Sequence, residues 1–366
     1  MKWNWQKKGW PQFCYHKAGL EKFEATFLRQ AGVIIGTTQH MDEDEKSLLV
    51  VDIISNEAFK TSEIEGEYLN RQSVQSSIRR NFGLKTSDKN ISPAEQGIAK
   101  MMVGLYQDFS KPLTHKRLFD WHAMLMSGRS DLETVGGYRK HSDSMQVISA
   151  SLHEPKIHFE APPSHVVKKE MDQFIRWFND TAPTGGNPLA ALTRAGIAHL
   201  YFVCIHPFED GNGRIGRAIA EKALSQCLGQ STLIALSQTI SVKRKQYYEK
   251  LELNNKNVEI TDWLMYFAET ILEAQSYSQS LIDFLIKKTK LFDKVKDQLN
   301  ERQEKALKRM FKEGIKGFDG GLSAENYISI TKTSRATATR DLKDLLEKGV
   351  FKRTGKLKAT RYHLKI

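Results

Sequence analysis

Apolar residues recur at helical spacing through most of the chain. Between residues 43 and 59, leucine, valine and isoleucine stand among acidic and polar residues in the pattern of a helix with a wide buried face. The same spacing predicts helices over residues 94–109, 113–126, 163–178, 189–204, 213–228, 243–253 and 260–285. The segment 189–204 is apolar on most sides, which indicates a central helix, and Pro207 ends it. The chain is therefore predicted to be mainly α-helical.

One stretch, residues 136–163, departs from the helical pattern. Two short apolar runs, at residues 145–149 and 156–159, flank a polar turn, which predicts a small β-hairpin on the helical body. An exposed hairpin edge can pair with an extended peptide. An ordinary surface hairpin would show the same pattern.

The C-terminal region has its own pattern. A boundary falls near residues 286–302, which we interpret as a linker helix, and residues 303–366 then form a separate domain. Helices are predicted at residues 302–311, 323–328 and 334–349, followed by strand, turn and strand, and this order is typical of a winged helix-turn-helix domain. The third helix of such domains enters the major groove, and the candidates for base contact are Arg335, Thr337, Thr339 and Arg340. A winged helix used for protein contact or dimerisation is the alternative.

Charge separates the same region from the rest of the chain. Residues 301–366 hold 17 lysines and arginines against 8 acidic residues, a net charge of +9, whereas the other 300 residues carry only +3. A local basic patch is expected of a nucleic-acid contact, so DNA is a candidate partner. A basic tail that serves only solubility fits the charge equally well.

Composition excludes several classes of protein. Among 366 residues, 40% are hydrophobic and 27% charged, which is ordinary for a soluble globular protein. No uncharged apolar run approaches 18 residues, so no membrane span is expected, and the first eight residues lack the apolar region of a secretory signal. Three scattered cysteines exclude a disulfide framework and a four-cysteine zinc site. These features favour a cytoplasmic protein.

The most informative segment is residues 206–217. Gly211 and Gly213 allow a tight turn whose successive N–H groups form an anion-binding nest. A helix begins at about Gly213, so its positive N-terminal end points to the same place. Arg214 and Arg217 are three residues apart and share one face of its first turn. Together these features predict a polyphosphate cradle, whereas the simpler interpretation is a capped helix turn with surface arginines.

Two further side chains of this segment suggest chemistry. A carboxylate would repel phosphate, so Asp210 makes sense if it holds Mg²⁺ that bridges phosphate oxygens. His206 has the pKa best suited to a general base near neutral pH. Zinc is disfavoured because no second and third ligand stand nearby at the usual spacing.

The segment also resembles a family signature. His206-Pro207-Phe208-Glu209-Asp210-Gly211-Asn212-Gly213-Arg214-Ile215-Gly216-Arg217 is similar to the Fic motif HxFx(D/E)GNGRxxR at every fixed position. The resemblance covers the helical body, residues 41–285, and a C-terminal winged helix is known in the family. Residues 1–40 are similar to a small extension found in bacterial members of this layout, which are often homodimers.

The resemblance implies a protein adenylyltransferase, which transfers AMP from ATP to a Ser, Thr or Tyr hydroxyl of a protein substrate and releases pyrophosphate. His206 would be the base, and Asp210 would hold Mg²⁺ on the α and β phosphates. Arg214 and Arg217 would contact the β and γ phosphates. The remaining implied nucleotide-binding residues of the motif are Gly211, Asn212, Gly213, Ile215 and Gly216.

A second family motif precedes the first. Residues 61–66, Thr-Ser-Glu-Ile-Glu-Gly, resemble the inhibitory motif (S/T)xxxE(G/N). The implied role is that Glu65 pairs with Arg217 in the γ-phosphate position, so that ATP binds unproductively. Taken alone, such a short motif is also typical of a solvated helix face or a cap.

Two more sets of residues follow from the resemblance. The hairpin, residues 145–160, is similar to the family flap, in which Val147, Ile148, Ser149 and Ala150 would register the target peptide beside the nucleotide. Tyr247 would line or stack on the base and Asn255 would hydrogen-bond it, although plain helix packing also explains the tyrosine. Two alternative functions stay open: a DNA-binding regulator whose Fic core senses nucleotide, and an enzyme that removes AMP by using Glu65 to align a water.

Overall fold

The computed structural model describes residues 2–86, 90–148, 156–318 and 320–366. Within these residues the chain forms fourteen α-helices and two small antiparallel hairpins, which confirms the prediction of a mainly α fold. It divides into two compact units, Met1–Ser278 and Gln279–Ile366.

The first unit is helical apart from one hairpin. Its helices are α1 Glu21–Gln39, α2 Glu43–Ile64, α3 Arg71–Asn81, α4 Pro93–Gln107, α5 His115–Leu125, α6 Ser164–Asp180, α7 Ala191–Ile205, α8 Asn212–Leu228, α9 Leu236–Val242, α10 Arg244–Asn254 and the first part of α11 Thr261–Val295. Strands β1 Gln146–Ile148 and β2 Ile157–Glu160 form the hairpin between α5 and α6.

Helix α7 is the centre of this unit, as its apolar sequence predicted. Only Val203 of its fifteen residues is not buried, and α8 packs along it. The buried Arg194 is compensated by hydrogen bonds to the carbonyl of Phe178 (2.9 Å) and the side chain of Gln226 (2.7 Å). Helices α1 and α6 pack on α7, while α2, α3 and α9 pack together.

Helix starts follow from local capping. Asp42 accepts a hydrogen bond from the backbone N–H of Glu45 at the start of α2 (2.7 Å). Ser92 and Glu95 form a capping box at α4. Such side-chain acceptors satisfy N–H groups that have no partner within the helix.

The end of α2 is set by Gly66. Its φ of 84° is in the left-handed region that favours glycine. The N–H of Glu67 donates to the carbonyl of Ser62 (3.0 Å), and that of Gly66 donates to the carbonyl of Glu63 (3.0 Å), which is a Schellman ending. This ending turns the chain sharply and leaves Glu65 and Glu67 on either side of the glycine.

The hairpin matches its predicted place at residues 145–160. Val147 pairs with Phe159, and the register shifts between Val147 and Ile148. Phe159 is buried against the helical body, whereas Val147 and Ile148 are exposed. Apolar side chains of β1 are therefore exposed to solvent.

The second unit contains the rest of α11, then α12 Glu301–Phe311, α13 Ala324–Thr331, α14 Arg335–Glu347, β3 Phe351–Thr354 and β4 Arg361–Leu364. Strands β3 and β4 pair antiparallel, with Phe351 opposite Leu364. Asp341 accepts hydrogen bonds from Arg302 (2.9 Å) and the Tyr327 hydroxyl (3.0 Å), and so joins all three helices.

Some elements were not indicated by the sequence pattern. Helix α3 has only two buried apolar side chains, Val74 and Ile78, and three of its other buried positions are serines. Helix α11 continues to Val295, so the long helix predicted to end at residue 285 extends into the predicted linker at residues 286–302. In the parts of the chain that the structure describes, no helix has the length and apolarity that crossing a membrane requires.

Candidate active site

The turn between α7 and α8 holds the motif in an unusual backbone conformation. His206 caps α7 with φ 50° and ψ 58°, a left-handed conformation that costs a non-glycine residue about 1–2 kcal/mol. Gly211 follows with φ 82°. Asn212 closes the turn, because its side chain accepts from the N–H of Phe208 (3.0 Å) and donates to the carbonyl of the same residue (2.8 Å).

Neighbouring residues attach this turn to the body of the domain. The buried ring of Phe208 stacks on His122, with ring centroids 4.2 Å apart. The carboxylate of Glu209 accepts backbone hydrogen bonds from Glu133 (3.0 Å) and Thr134 (2.9 Å). Several motif residues therefore fix the shape of the site.

His206 is in the state required of a base. Its Nδ1 lies 3.2 Å from the carbonyl oxygen of Val203, and since a carbonyl can only accept, Nδ1 carries the proton. In the neutral ring Nε2 then holds the lone pair. Burial, reinforced by the charge of Arg139, lowers the pKa of His206 to about 4, so the ring is neutral at pH 7 but is a weaker base than the near-neutral pKa expected from the sequence would give.

Arg139 is a site residue that the sequence analysis missed. It is only 1% exposed, and its Nε donates to the carbonyl of His206 (2.8 Å) while Nη1 donates to Ser164 (2.9 Å). It also donates to the carbonyl of Pro162, and burial lowers its pKa to about 10. Arg139 thus joins the strained end of α7 to the start of α6. A lone arginine after a glycine pair gave no signal of this role.

Arg217 is occupied by the end of α2. It is 2% exposed and its Nη1 lies 2.8 Å from Oε1 of Glu65. Thr61 accepts from Nε and Nη2 of the same guanidinium, each at 2.8 Å, and Glu65 also accepts from the hydroxyl of Tyr248 (3.2 Å). A Cβ built on Gly213 would stand 2.1 Å from Oε1 of Glu65. The Glu65 carboxylate therefore sits on the first turn of α8, where a helix favours an anion.

The other motif arginine has a similar partner that was not predicted. Arg214 is 4% exposed, and its Nη1 lies 2.5 Å from Oε2 of Glu67 and its Nη2 lies 3.4 Å from Oδ1 of Asp210. Both arginines on this face of α8 thus form an ion pair with a carboxylate at the end of α2, Arg217 with Glu65 and Arg214 with Glu67.

Asp210 is held ionised by two arginines. Its Oδ2 lies 2.8 Å from Arg129, which also forms two hydrogen bonds to Asp131 (2.7 and 2.6 Å). Burial alone would raise the pKa of Asp210, but Arg214 and Arg129 hold it below its ordinary value. Across the described ranges no three acidic, histidine or cysteine side chains cluster as a metal site. A single carboxylate suits Mg²⁺ that arrives with phosphates, because Mg²⁺ keeps several water and phosphate ligands.

A cavity of about 680 Å³ opens beside these residues. Seven of the predicted residues line it: Glu65, Val147, Ile148, His206, Gly213, Tyr247 and Asn255. Its volume suits a nucleotide-sized ligand. Ile215 and Gly216 instead lie in the α7–α8 interface, where a Cβ on Gly216 would be 3.0 Å from Val203. Ser149 and Ala150 lie outside the described residues.

The two residues predicted for the base differ in setting. Tyr247 is almost fully buried and its hydroxyl lies 2.7 Å from Nε2 of His199, so packing accounts for most of its surface. Asn255 is also buried, and its Nδ2 donates to the carbonyl of His158 on β2 (3.1 Å). Asn255 lines the cavity, and its amide oxygen is buried and has no partner among the described residues, so a donor that reached it could hydrogen-bond to it.

Comparison with known proteins confirms the resemblance to the Fic family for one segment of the chain. Residues 112–224 match the Fic/DOC family, so the chain carries a Fic domain. Residues 3–84 match a domain of unknown function, DUF4172.

Curated relatives match over limited stretches. A protein adenylyltransferase Fic of Drosophila mojavensis is 32% identical over 99 residues, 27% of this chain and 18% of that protein. A protein adenylyltransferase fic-1 of Caenorhabditis briggsae is 32% identical over 93 residues, 25% of this chain and 17% of that protein. A uridine 5′-monophosphate transferase of Xanthomonas campestris pv. campestris is 26% identical over 146 residues, 39% of this chain and 26% of that protein. The chain thus spans about a fifth to a quarter of these relatives.

Solved structures share the fold over much more of the chain. A Fic family protein from Desulfovibrio desulfuricans G20 has a TM-score of 0.52 at 20% identity, covering 94% of this chain and 96% of that one. A Fic domain containing signaling protein from Bacteroides thetaiotaomicron VPI-5482 has a TM-score of 0.54 at 19% identity, covering 74% and 97%. The Fic fold is therefore shown.

Proposed function

We propose that the chain is a self-inhibited protein adenylyltransferase that transfers AMP from ATP to a hydroxyl side chain of a protein. One observation carries the proposal: the Glu65 carboxylate lies on an anion site formed by Arg217 and the first turn of α8, in a cavity that the neutral His206 also lines. An anion site beside a base is what transfer of a phosphate-bound group to a hydroxyl needs.

The chain's own residues account for the steps of the reaction. The hydroxyl oxygen of the target attacks the α-phosphorus, its proton passes to Nε2 of His206, and the bond from the α-phosphorus to the pyrophosphate oxygen breaks. Arg214 and Arg217 offset the charge on the departing pyrophosphate. Arg139 keeps the His206 backbone fixed, so that the base needs little reorganisation.

Asp210 is the residue that would hold Mg²⁺. When bound with the nucleotide, the metal would neutralise phosphate charge and orient the leaving group. For this to happen Asp210 must exchange its contact with Arg129 for the cation.

Glu65 supplies the inhibition. Its ion pair with Arg217 uses the guanidinium that the terminal phosphate requires, so the triphosphate is displaced from the reactive position. The threonine and glycine of the motif have distinct roles: Thr61 fixes Arg217, and Gly66 gives the backbone turn that ends α2 at Glu65.

The nucleobase is the finer part of the proposal, because the relatives include both adenylyl and uridylyl transferases. Support for adenine comes from Asn255, which lines the cavity and whose buried amide oxygen, without a partner among the described residues, can accept from an exocyclic amino group that reaches it. Uracil offers a carbonyl in place of that group.

The test is mass spectrometry of Glu65→Gly incubated with Mg-ATP or Mg-UTP, with or without lysate proteins as acceptors. We expect added AMP on the variant itself or on lysate proteins, and far less from UTP. The control is the double variant Glu65→Gly/His206→Ala, which should bind ATP but add nothing. Absence of any nucleotide adduct from either substrate in Glu65→Gly would refute the proposal.

A second function, DNA binding, is favoured by the charge of the second unit. Arg335, Thr339 and Arg340 are exposed on α14, whereas Thr337 is half-buried beside the helix cap. The hairpin adds four exposed basic residues, namely Lys352, Arg353, Lys356 and Lys358. A basic helix face next to a basic wing suits the DNA backbone and the major groove, and a homodimer would present two such units to a two-fold site.

Fluorescence anisotropy with a duplex at two salt concentrations tests this second function on the full chain. We expect affinity that falls steeply with salt, and a loss of about tenfold in Arg335→Ala/Arg340→Ala. Lys305→Ala, an exposed change on α12, is the control. Equal affinity of both variants for DNA would count against a recognition role for α14.

A further inference from the structure

The first residues of the chain lie directly behind the cavity. Asn4 is fully buried, and its Nδ2 donates to Sγ of Cys204 near the end of α7 (3.1 Å). Its backbone N–H donates to the carbonyl of Asn255 at the end of α10 (2.8 Å). One residue thus contacts two of the elements that line the cavity.

The flap is held by the residues on either side of Asn4. Trp5 donates from Nε1 to the carbonyl of Glu160 on β2 (2.7 Å). Trp3 packs edge-on against Phe159 of the same strand, with centroids 5.4 Å apart. Since Asn255 also donates to the carbonyl of His158 on β2, the contacts close a circuit through the flap and the end of α10.

The residues at the far end of these contacts include four that line the cavity: His158, Phe159, Cys204 and Asn255. In the described part of the chain Trp3, Asn4 and Trp5 do not line it themselves. They therefore set the positions of lining groups without reaching a ligand. The residue most directly affected is Asn255, which lines the cavity and whose buried amide oxygen has no partner among the described residues.

We propose that residues 3–5 are positioning residues for the nucleobase end of the cavity, and that they set both the affinity for nucleotide and the choice of base. This inference rests on the proposed function. Loss of one contact would leave the direct bond between Asn255 and His158 as the remaining link between β2 and the end of α10, so that Asn255 meets the base less often in the correct geometry. The reacting end, at His206 and α8, would keep its own contacts.

The chain offers a matched pair of variants for the test. Trp5→Phe removes the indole hydrogen bond to β2. Trp10→Phe removes a similar bond, from Nε1 of Trp10 to Oε2 of Glu170 on α6 (2.8 Å), in the same N-terminal segment but away from this cavity. Both tryptophans are half-buried, so a general effect of loosening the segment should be the same in both.

The experiment measures the Kd for Mg-ATP and Mg-UTP by calorimetry, and KM and kcat for transfer, in the Glu65→Gly background. Trp5→Phe loses one hydrogen bond, and Asn4→Ala loses two, to Cys204 and from the N–H of Trp5 (2.8 Å). We expect both variants to raise the Kd and KM for ATP about three- to tenfold, with kcat within about twofold. The preference for ATP over UTP should shrink by a similar factor. Trp10→Phe should leave all of these values unchanged, and melting temperatures of all three variants report their folding.

Two results would overturn the inference. One is unchanged ATP affinity in Trp5→Phe and Asn4→Ala; if Asn4→Ala does not fold, Trp5→Phe decides alone. The other is an equal loss in Trp10→Phe, which would show only a general structural effect. If the Glu65→Gly parent binds neither nucleotide, the proposed function fails as well, so the parent's own affinity distinguishes the two failures.

Discussion

Replacing Glu65 by glutamine should remove the carboxylate from the anion site while leaving Arg217 in place. The substitution keeps the size of the side chain and an oxygen for Tyr248, but it removes the negative charge that Arg217 now contacts at 2.8 Å. Arg217 would remain almost fully buried and bound to Thr61, and would then attract the terminal phosphate of a nucleotide.

The size of the effect follows from the contact that ATP must displace. Arg217 and Glu65 form an ion pair, and a charged contact with a buried partner contributes about 1.5–3 kcal/mol. At about 1.4 kcal/mol for each factor of ten, its loss should tighten ATP binding about 10- to 150-fold. AMP has no phosphate to place at Arg217, so its affinity should stay within about twofold.

Calorimetry of ATP and AMP binding measures this difference directly. The control is Glu63→Gln on the same turn of α2, because Glu63 pairs with Lys60 at 2.6 Å on α2 itself. A melting temperature that falls in Glu65→Gln would agree with an uncompensated buried guanidinium. If the affinities for ATP and AMP increase equally in Glu65→Gln, or if neither increases, the hypothesis that the carboxylate and the terminal phosphate compete for Arg217 is wrong.

Three other outcomes are expected. Because the pKa of His206 is lowered to about 4, the rate of AMP transfer by Glu65→Gly should stay level from pH 8 to about pH 5 and fall as the ring is protonated near pH 4. Measurements of the rate against pH would check this, and a fall in rate with its midpoint near pH 6.5 would contradict it. Glu67→Gln should tighten ADP binding about two- to fivefold by freeing Arg214, since the pair is partly exposed, and calorimetry would show no gain if Arg214 does not meet phosphate. Burial raises the pKa of Glu57 to about 7 from 4.5, so ionisation of its carboxyl destabilises the fold as pH rises between these values. Glu57→Gln should therefore raise the melting temperature at pH 8 and not at pH 4.5. Equal increases in melting temperature at both pH values would exclude the carboxyl charge as the cause.

Features encoded by nearby residues could be predicted from the sequence. Helices with continuous apolar faces, such as α7, and the turn that carries Asn212 depend on local spacing and on glycine. The Glu65–Arg217 pair was expected only because both residues stand in family motifs. Nothing in their separation along the chain indicates that they meet.

Contacts between residues far apart in the sequence were not predicted, because separation along the chain does not indicate which residues meet in the fold. Asn4 meets Cys204 across 200 positions, and Arg139 meets His206 across 67. Glu67 stands one residue beyond the inhibitory motif, and its pairing with Arg214 depends on how the Schellman ending turns the chain. Helix α3 was not predicted because its buried face is largely serine, so the spacing of hydrophobic residues does not indicate a helix there.

The region that matches DUF4172, residues 3–84, contributes at both of its ends to one cavity. Near its start, Asn4 contacts the structure behind the cavity, and towards its end Glu65 enters the cavity. A truncation that deletes the whole region in order to relieve the proposed inhibition would remove Asn4, which supports the cavity, together with Glu65, which occupies it. Substitution of Glu65 alone, or a local departure of the last turn of α2, would remove the carboxylate and keep the contacts of Asn4.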